Sequence, residues 1–263
     1  MKPVVLSKRL QAVSAMVTVG SRVCDVGCDH GFVPIYLAQQ GISPTVLAMD
    51  VRSGPLSAAA EHVAECGLEN VIETRMSDGL HNYNVGEADS LICAGMGGRL
   101  MMRILSDDQA KTESFRELIL QPQSEIGQFR AWLRKQGYRI TEENMIEEDG
   151  KFYPMMRVET SAGTEYADWH EYIARLRKTI INSACNIIDD VVLCKLMERY
   201  GPLLMLRKDK TLTTYLRREE RIYEEILAEL RAQDLSGEKH KNRYEEVHGL
   251  LEDCRTALDI VTL

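Results

Sequence analysis

Val23-Cys24-Asp25-Val26-Gly27-Cys28-Asp29-His30-Gly31-Phe32 is the stretch whose reading decides the fold. A β-branched run (Val17, Val19, Val23, Val26) ends in a tight, glycine-containing turn, and an apolar helical segment follows through Phe32, Val33, Ile35, Tyr36, Leu37 and Ala38. Strand, glycine turn and helix in that order make a nucleotide-sized crevice at the carboxyl end of the first strand of an open α/β sheet. A dinucleotide site would carry G-x-G-x-x-G here, to bring backbone N–H groups to a pyrophosphate. This turn offers Gly27 and Gly31 with Asp25 and Asp29 between and beside them. Two carboxylates repel a pyrophosphate and suit a ligand with positive charge and free hydroxyls, such as S-adenosylmethionine.

The next strand ends repeat the theme. Thr45–Met49 reads as a second strand ending in Asp50, 25 residues after Asp25, where an acid is placed to bind ribose hydroxyls. A helix is expected over Pro55–Cys66 and a short strand over Val71–Arg75, followed by the acid–glycine turn Ser77-Asp78-Gly79. A carboxylate there can accept from an exocyclic amine such as that of adenine. A fourth strand, Ser90–Cys93, opens into Ala94-Gly95-Met96-Gly97-Gly98, whose glycines let backbone approach a ligand closely. Any one of these acids alone is explained as a helix cap or turn residue. Four such strand ends in succession point to a Rossmann-like methyltransferase.

Composition sets the outer bounds. The 263 residues suit one large domain or a domain with an appendage, and a hydrophobic fraction of 44% supports a sizeable core. No apolar run is long enough for a transmembrane helix, and the N-terminal segment lacks the apolar core of a signal peptide, so a cytoplasmic protein with no membrane partner is expected. Seven scattered cysteines, with Cys24 and Cys28 lacking a matching second pair, suggest free, buried thiols and no metal. The net charge of −8 does not advertise a nucleic-acid binder, yet His170–Arg221 carries eleven Lys/Arg against seven Asp/Glu. A solvated helix face explains that excess equally well.

Strands and helices alternate to about Glu159. A helix is expected over Arg99–Leu105, another before the fifth strand Leu118-Ile119-Leu120, and a third over Ile126–Gln136, stopped by Gly137. Tyr138–Glu142 and Phe152–Glu159 read as an antiparallel edge joined by an acidic loop, Ile146–Lys151. Beyond Gly163 the pattern is helical. Tyr244, Val247, Leu251, Cys254, Leu258 and Val261 recur at alternating steps of 3 and 4, and Leu216, Tyr223, Ile226 and Leu230 face them across a short turn, Asp234–Gly237. An antiparallel helical hairpin follows, as a protruding coiled coil or as an ordinary core pair. The expected organisation is a methyltransferase domain over residues 1–162 and a helical, coiled-coil domain over 163–263.

At this point the chain resembles a known family, the bacterial tRNA adenine N1-methyltransferases acting on adenine 22. The carriers are Lys8-Arg9-Leu10, Asp25-Val-Gly-Cys-Asp-His-Gly, Asp50-Val-Arg-Ser-Gly-Pro-Leu, Ser77-Asp-Gly-Leu, Ala94-Gly-Met-Gly-Gly, Leu120-Gln-Pro, Arg130-Ala-Trp-Leu and Lys151-Phe-Tyr-Pro. Tyr200-Gly-Pro-Leu-Leu and Tyr215-Leu-Arg-Arg-Glu extend the likeness into the C-terminal part. Gln123 stands where the family has asparagine, and the stretch from about 166 to 190 is longer than the family pattern.

The resemblance implies a Rossmann-like domain with a C-terminal coiled-coil domain, S-adenosylmethionine as cofactor and tRNA as partner. Carried over by motif, Asp25, Gly27, Cys28, Asp29 and Gly31 face the methionine part of the cofactor. Asp50 and Val51 hold the ribose, Asp78 and Gly79 the adenine, and Ala94 and Gly95 the back of the site. Asp29 is the first candidate to stabilise the purine as it becomes positive, and His30 either relays a proton or caps the helix at Phe32. Met96, Gly97, Gly98, Gln121 and Pro122 are substrate candidates, with Arg9, Arg99 and Arg103 for phosphates. A monomer is expected, a dimer through the helical seam being the alternative. Other readings are a methyltransferase acting on another RNA or a small molecule, separated by the product, and a cofactor-binding interaction module, separated by size analysis and cofactor titration.

Overall fold

The computed structural model describes residues 3–160, 167–181, 188–232 and 237–263. The chain divides into two compact units, parting at residues 166 and 167. The boundary expected at 162/163, the turn beginning at residue 234 and the cysteine at position 185 lie outside the described residues, as does part of the long 166–190 stretch.

Unit 1 begins with α1 (Lys8–Ala15), which the sequence reading did not foresee. Ser7 caps it through Leu10 N–H at 3.3 Å, and the Glu148 carboxylate accepts Lys8 N–H at 2.6 Å. Then follow β1 (Val23–Val26), α2 (Phe32–Gln39), β2 (Val46–Asp50), α3 (Ser53–Glu65), β3 (Ile72–Met76), β4 (Ser90–Gly97), α4 (Gly98–Asp107), α5 (Gln109–Glu113), β5 (Glu117–Ser124), α6 (Ile126–Lys135), β6 (Arg139–Glu148) and β7 (Lys151–Glu159). Val17 and Val19 lie outside β1, and Val19 is exposed, so the β-branched run overstates the strand.

The seven strands form one sheet in the order β3-β2-β1-β4-β5-β7-β6. The first five are parallel, and β7 runs antiparallel to both β5 and β6. Every residue of β1 and β2 is buried, as central parallel strands covered on both faces require. Chain order reverses between β1 and β4, which puts the crevice beyond their carboxyl ends. The edge differs from expectation: Ile146–Lys151 is not an open loop. β6 and β7 extend through it and turn tightly at Asp149-Gly150, both with positive φ (51° and 71°), the backbone of a two-residue hairpin.

Unit 2 contains α7 (Ala167–Ile181), α8 (Asp190–Tyr200), α9 (Pro202–Leu206), α10 (Lys210–Ala232) and α11 (Glu238–Thr262). α10 and α11 pack antiparallel: Leu216 O accepts from Cys254 Sγ, Glu220 pairs with Arg255, and Arg231 donates to Tyr244 Oη. Leu227, Val247 and Leu251 form a small apolar cluster between them, flanked by Tyr223, Ile226, Leu230 and Tyr244. Among the described residues no helix is long and apolar enough to cross a membrane, and no group of three or more His, Cys, Asp or Glu could hold a metal. Cys24, Cys28, Cys66, Cys93 and Cys254 are free thiols.

Candidate active site

The carboxyl ends of β1, β2, β3 and β4 surround a cavity of about 730 Å³. From the sequence candidates the structure brings Arg9, Asp25, Gly27, Cys28, Asp29, His30, Asp50, Val51, Asp78, Gly79, Ala94, Gly95 and Met96 to its wall, together with Arg103 and Gln123.

Asp25 lies in register with Ala48 on one side and Ile92 on the other, on a central strand of the sheet. It is 4% exposed, and among the described residues no donor reaches it. Burial first, and the charge of Asp50 second, push its carboxyl from the usual 3.8 up to about 7. An unpartnered buried carboxylate on a cavity wall is stabilised by a ligand that brings a cation. Burial likewise pushes the Cys93 thiol up to about 12 and raises Cys28, so neither sulfur is a thiolate near neutral pH.

Asp50 ends β2 with both carboxylate oxygens engaged. Its Oδ2 accepts Asp29 N–H at 3.2 Å and its Oδ1 accepts Arg52 N–H at 2.8 Å. Asp29 has φ of 50°, a left-handed conformation that Asp tolerates better than most residues. Its carboxylate faces Arg52 Nη2 at 3.5 Å and His30 Nε2 at 3.9 Å. Gly27 has φ of +78°, and a Cβ there would stand 2.2 Å from Met96 Cε, so the Met96 methyl occupies the space that any side chain at this turn position would need. Asp78, in the turn after β3, pairs with Arg103 on α4 at 3.0 Å.

Some candidates lie elsewhere. His30 does not cap α2: the N-cap is Gly31, with φ of 74° and no side-chain cap bond. The His30 carbonyl instead accepts from His62 Nδ1 at 2.9 Å, which fixes the proton on that nitrogen. Gly97 and Gly98 are off the wall and pack against Ser124 and Glu125. Arg99 is exposed and faces Glu125 at 3.5 Å, and Pro122 is buried in β5. Gln121 is fully buried behind the wall and accepts from Arg9 Nη1 at 2.8 Å. The reading also missed wall residues. Leu100 and Ile104, with Arg103, stand one turn apart on α4, an i, i+4 spacing that a helical reading of this segment contained.

A methyltransferase-domain family matches residues 6–156. The chain belongs to this family. The chain is 37% identical over 154 residues to the tRNA (adenine(22)-N(1))-methyltransferase of Bacillus subtilis (strain 168), covering 59% of this chain and 65% of that relative. The match thus spans a little under two thirds of the relative's length. The crystal structure of the B. subtilis m1A22 tRNA methyltransferase TrmK superposes with a TM-score of 0.77 at 28% identity, covering 97% of this chain and 99% of that one. Streptococcus pneumoniae Sp1610 in complex with S-adenosyl-L-methionine gives 0.74 at 27% identity, covering 97% and 100%.

Proposed function

We propose that the protein transfers a methyl group from S-adenosylmethionine to N1 of adenine 22 in tRNA. The observation that carries the cofactor assignment is the unpartnered Asp25 carboxylate in a cavity walled by Asp29, Asp50 and Asp78. The target assignment is supported by the likeness to the B. subtilis enzyme of that activity.

The residues present fit the cofactor. Asp25 would face its cationic amino-acid part, Gly27 would set the backbone of the turn beside it, Asp50 would take the ribose hydroxyls and Asp78 the exocyclic amine of the adenine. When bound, the cofactor supplies an electrophilic methyl group on a sulfonium. The chain's own task is to align N1 with that methyl in a closed, oriented site. N1 of neutral adenine already carries a lone pair, so no strong base is needed. The purine becomes positive as the methyl arrives, and the Asp29 carboxylate, on the cavity wall, would stabilise that charge. The base reaches the site by flipping or by local opening of the RNA.

The same reading gives the α10–α11 pair the role of a coiled-coil arm on the RNA. It is supported by the antiparallel seam and by exposed Arg217 and Arg221 on α10. The test of the proposal is label transfer from methyl-labelled S-adenosylmethionine to unmodified tRNA transcripts, with ribosomal RNA as control. Label in tRNA alone is expected, and label in ribosomal RNA alone, or in neither, overturns the proposal.

A further inference from the structure

Three arginines line the cavity, and their charges are placed differently. Arg52 stands 3.5 Å from the Asp29 carboxylate and 3.6 Å from that of Asp50, and Arg103 stands 3.0 Å from that of Asp78. Arg9 has no carboxylate within ion-pair distance among the described residues. It is nonetheless held. Its Nη1 donates to Gln121 Oε1 at 2.8 Å, and its guanidinium lies 5.5 Å from the centre of the Tyr153 ring. Gln121 is fully buried, and the same Oε1 accepts Gly95 N–H at 3.2 Å while Nε2 donates to Pro122 O at 3.2 Å. Glu148, the acid bound to this end of α1, spends its oxygens on the Lys8 and Arg9 main-chain amides at 2.6 and 3.4 Å.

A neutral amide and an aromatic face fix the direction of this guanidinium without cancelling its charge. A glutamate in place of Gln121 would cancel it. A half-buried cation with no counterion is costly, and the cost is recovered when a ligand brings the anion. A guanidinium has five donors in a planar fork, of which Gln121 takes one, and the fork matches a carboxylate or phosphate bidentately.

We propose that Arg9 is an oxyanion-binding point of the cavity, with Gln121 and Tyr153 as its positioning residues. The inference rests on the methyltransferase reading, which supplies two oxyanions: the carboxylate on the amino-acid part of the cofactor and a backbone phosphate of the RNA. Both share the chemistry that Arg9 recognises.

The experiment titrates the full chain and its Arg9→Gln, Arg9→Lys and Gln121→Glu variants with S-adenosylmethionine, with decarboxylated S-adenosylmethionine, and with a tRNA transcript at several salt concentrations. If the carboxylate is the partner, Arg9→Gln and Gln121→Glu weaken S-adenosylmethionine roughly ten- to hundredfold and leave the decarboxylated compound unchanged. If the phosphate is the partner, S-adenosylmethionine affinity holds, tRNA affinity falls, and the slope of log affinity against log salt shrinks by roughly 0.7 to 0.9. Arg9→Lys keeps the charge but loses the fork and is expected to be intermediate, which reads out the site even where Arg9→Gln does not fold. Unchanged affinity for both ligands in folded Arg9→Gln and Gln121→Glu proteins overturns the inference. Failure of the wild-type chain to bind S-adenosylmethionine at all overturns instead the reading on which it rests.

Discussion

The Asp50 carboxylate at the end of β2 accepts the main-chain N–H of Asp29 at 3.2 Å, so one strand end holds the turn that leaves its neighbour. The other oxygen accepts Arg52 N–H at 2.8 Å, and Asp50 O accepts Ser77 N–H at 3.0 Å from the turn after β3. Three turns of the cavity wall therefore meet at one residue.

Asp50→Ala is expected to weaken S-adenosylmethionine binding roughly ten- to hundredfold and to lower the melting temperature, because a charged acceptor is lost from two main-chain amides as well as from the ligand. Asp50→Asn keeps an acceptor and is expected to recover part of the stability but little of the affinity. Calorimetric titration with thermal melts checks both, and unchanged affinity in Asp50→Ala contradicts the assignment.

With Asp25 facing the cofactor as proposed, cofactor binding is expected to depend on pH. Its folded value, about 7, lies above the usual 3.8. In the ligand-free protein, its contribution to stability is therefore full below the unfolded value and is lost as pH rises toward about 7. A cationic ligand prefers the ionised form, so affinity is expected to rise as pH rises to about 7, by up to about tenfold per unit, and then to level off. Asp25→Asn removes the dependence. Titrations between roughly pH 5 and pH 8 check this, and the same slope in Asp25→Asn would contradict it.

Two glycines separate packing from chain entropy. A Cβ on Gly98 would lie 2.6 Å from Ser124 O, a backbone atom, so Gly98→Ala is expected to destabilise unit 1 by roughly 1–3 kcal/mol. A Cβ on Gly249, within α11, meets nothing within 4 Å, so Gly249→Ala is expected to stabilise by roughly 0.5–1 kcal/mol. Urea unfolding checks the signs, and equal signs contradict the packing.

Asp29→Asn keeps a residue that tolerates the left-handed backbone and removes the charge. If Asp29 stabilises the developing positive purine, kcat is expected to fall roughly a hundredfold with little change in cofactor affinity. Near-normal kcat would restrict Asp29 to a binding role.

What was legible in the sequence is the local grammar of the sheet. The Asp25–Gly31 turn, Asp50, Ser77-Asp78-Gly79 and Ala94–Gly98 each mark a strand end by residue type, and parallel topology gathers such ends on one rim. The Asp149-Gly150 hairpin was also written there, as the dipeptide favoured by a two-residue turn, but the acidic flanks read as loop. Gln121 stands among the substrate candidates, but its burial and its hold on Arg9 were not legible, because they join positions 112 residues apart. The same holds for α1, whose N-terminus is completed by Glu148, 140 residues away from Lys8. The cap reading of His30 fails because Gly31 occupies the cap position in a conformation that needs no side-chain cap.

Nucleoside mass spectrometry of unmodified tRNA transcripts incubated with the protein and S-adenosylmethionine, beside a transcript with adenine 22 replaced by guanine, decides whether the protein methylates N1 of adenine 22. 1-Methyladenosine is expected from the first and none from the second. Methylation of both transcripts, a different methylated nucleoside, or no product from a protein that binds the cofactor would contradict it.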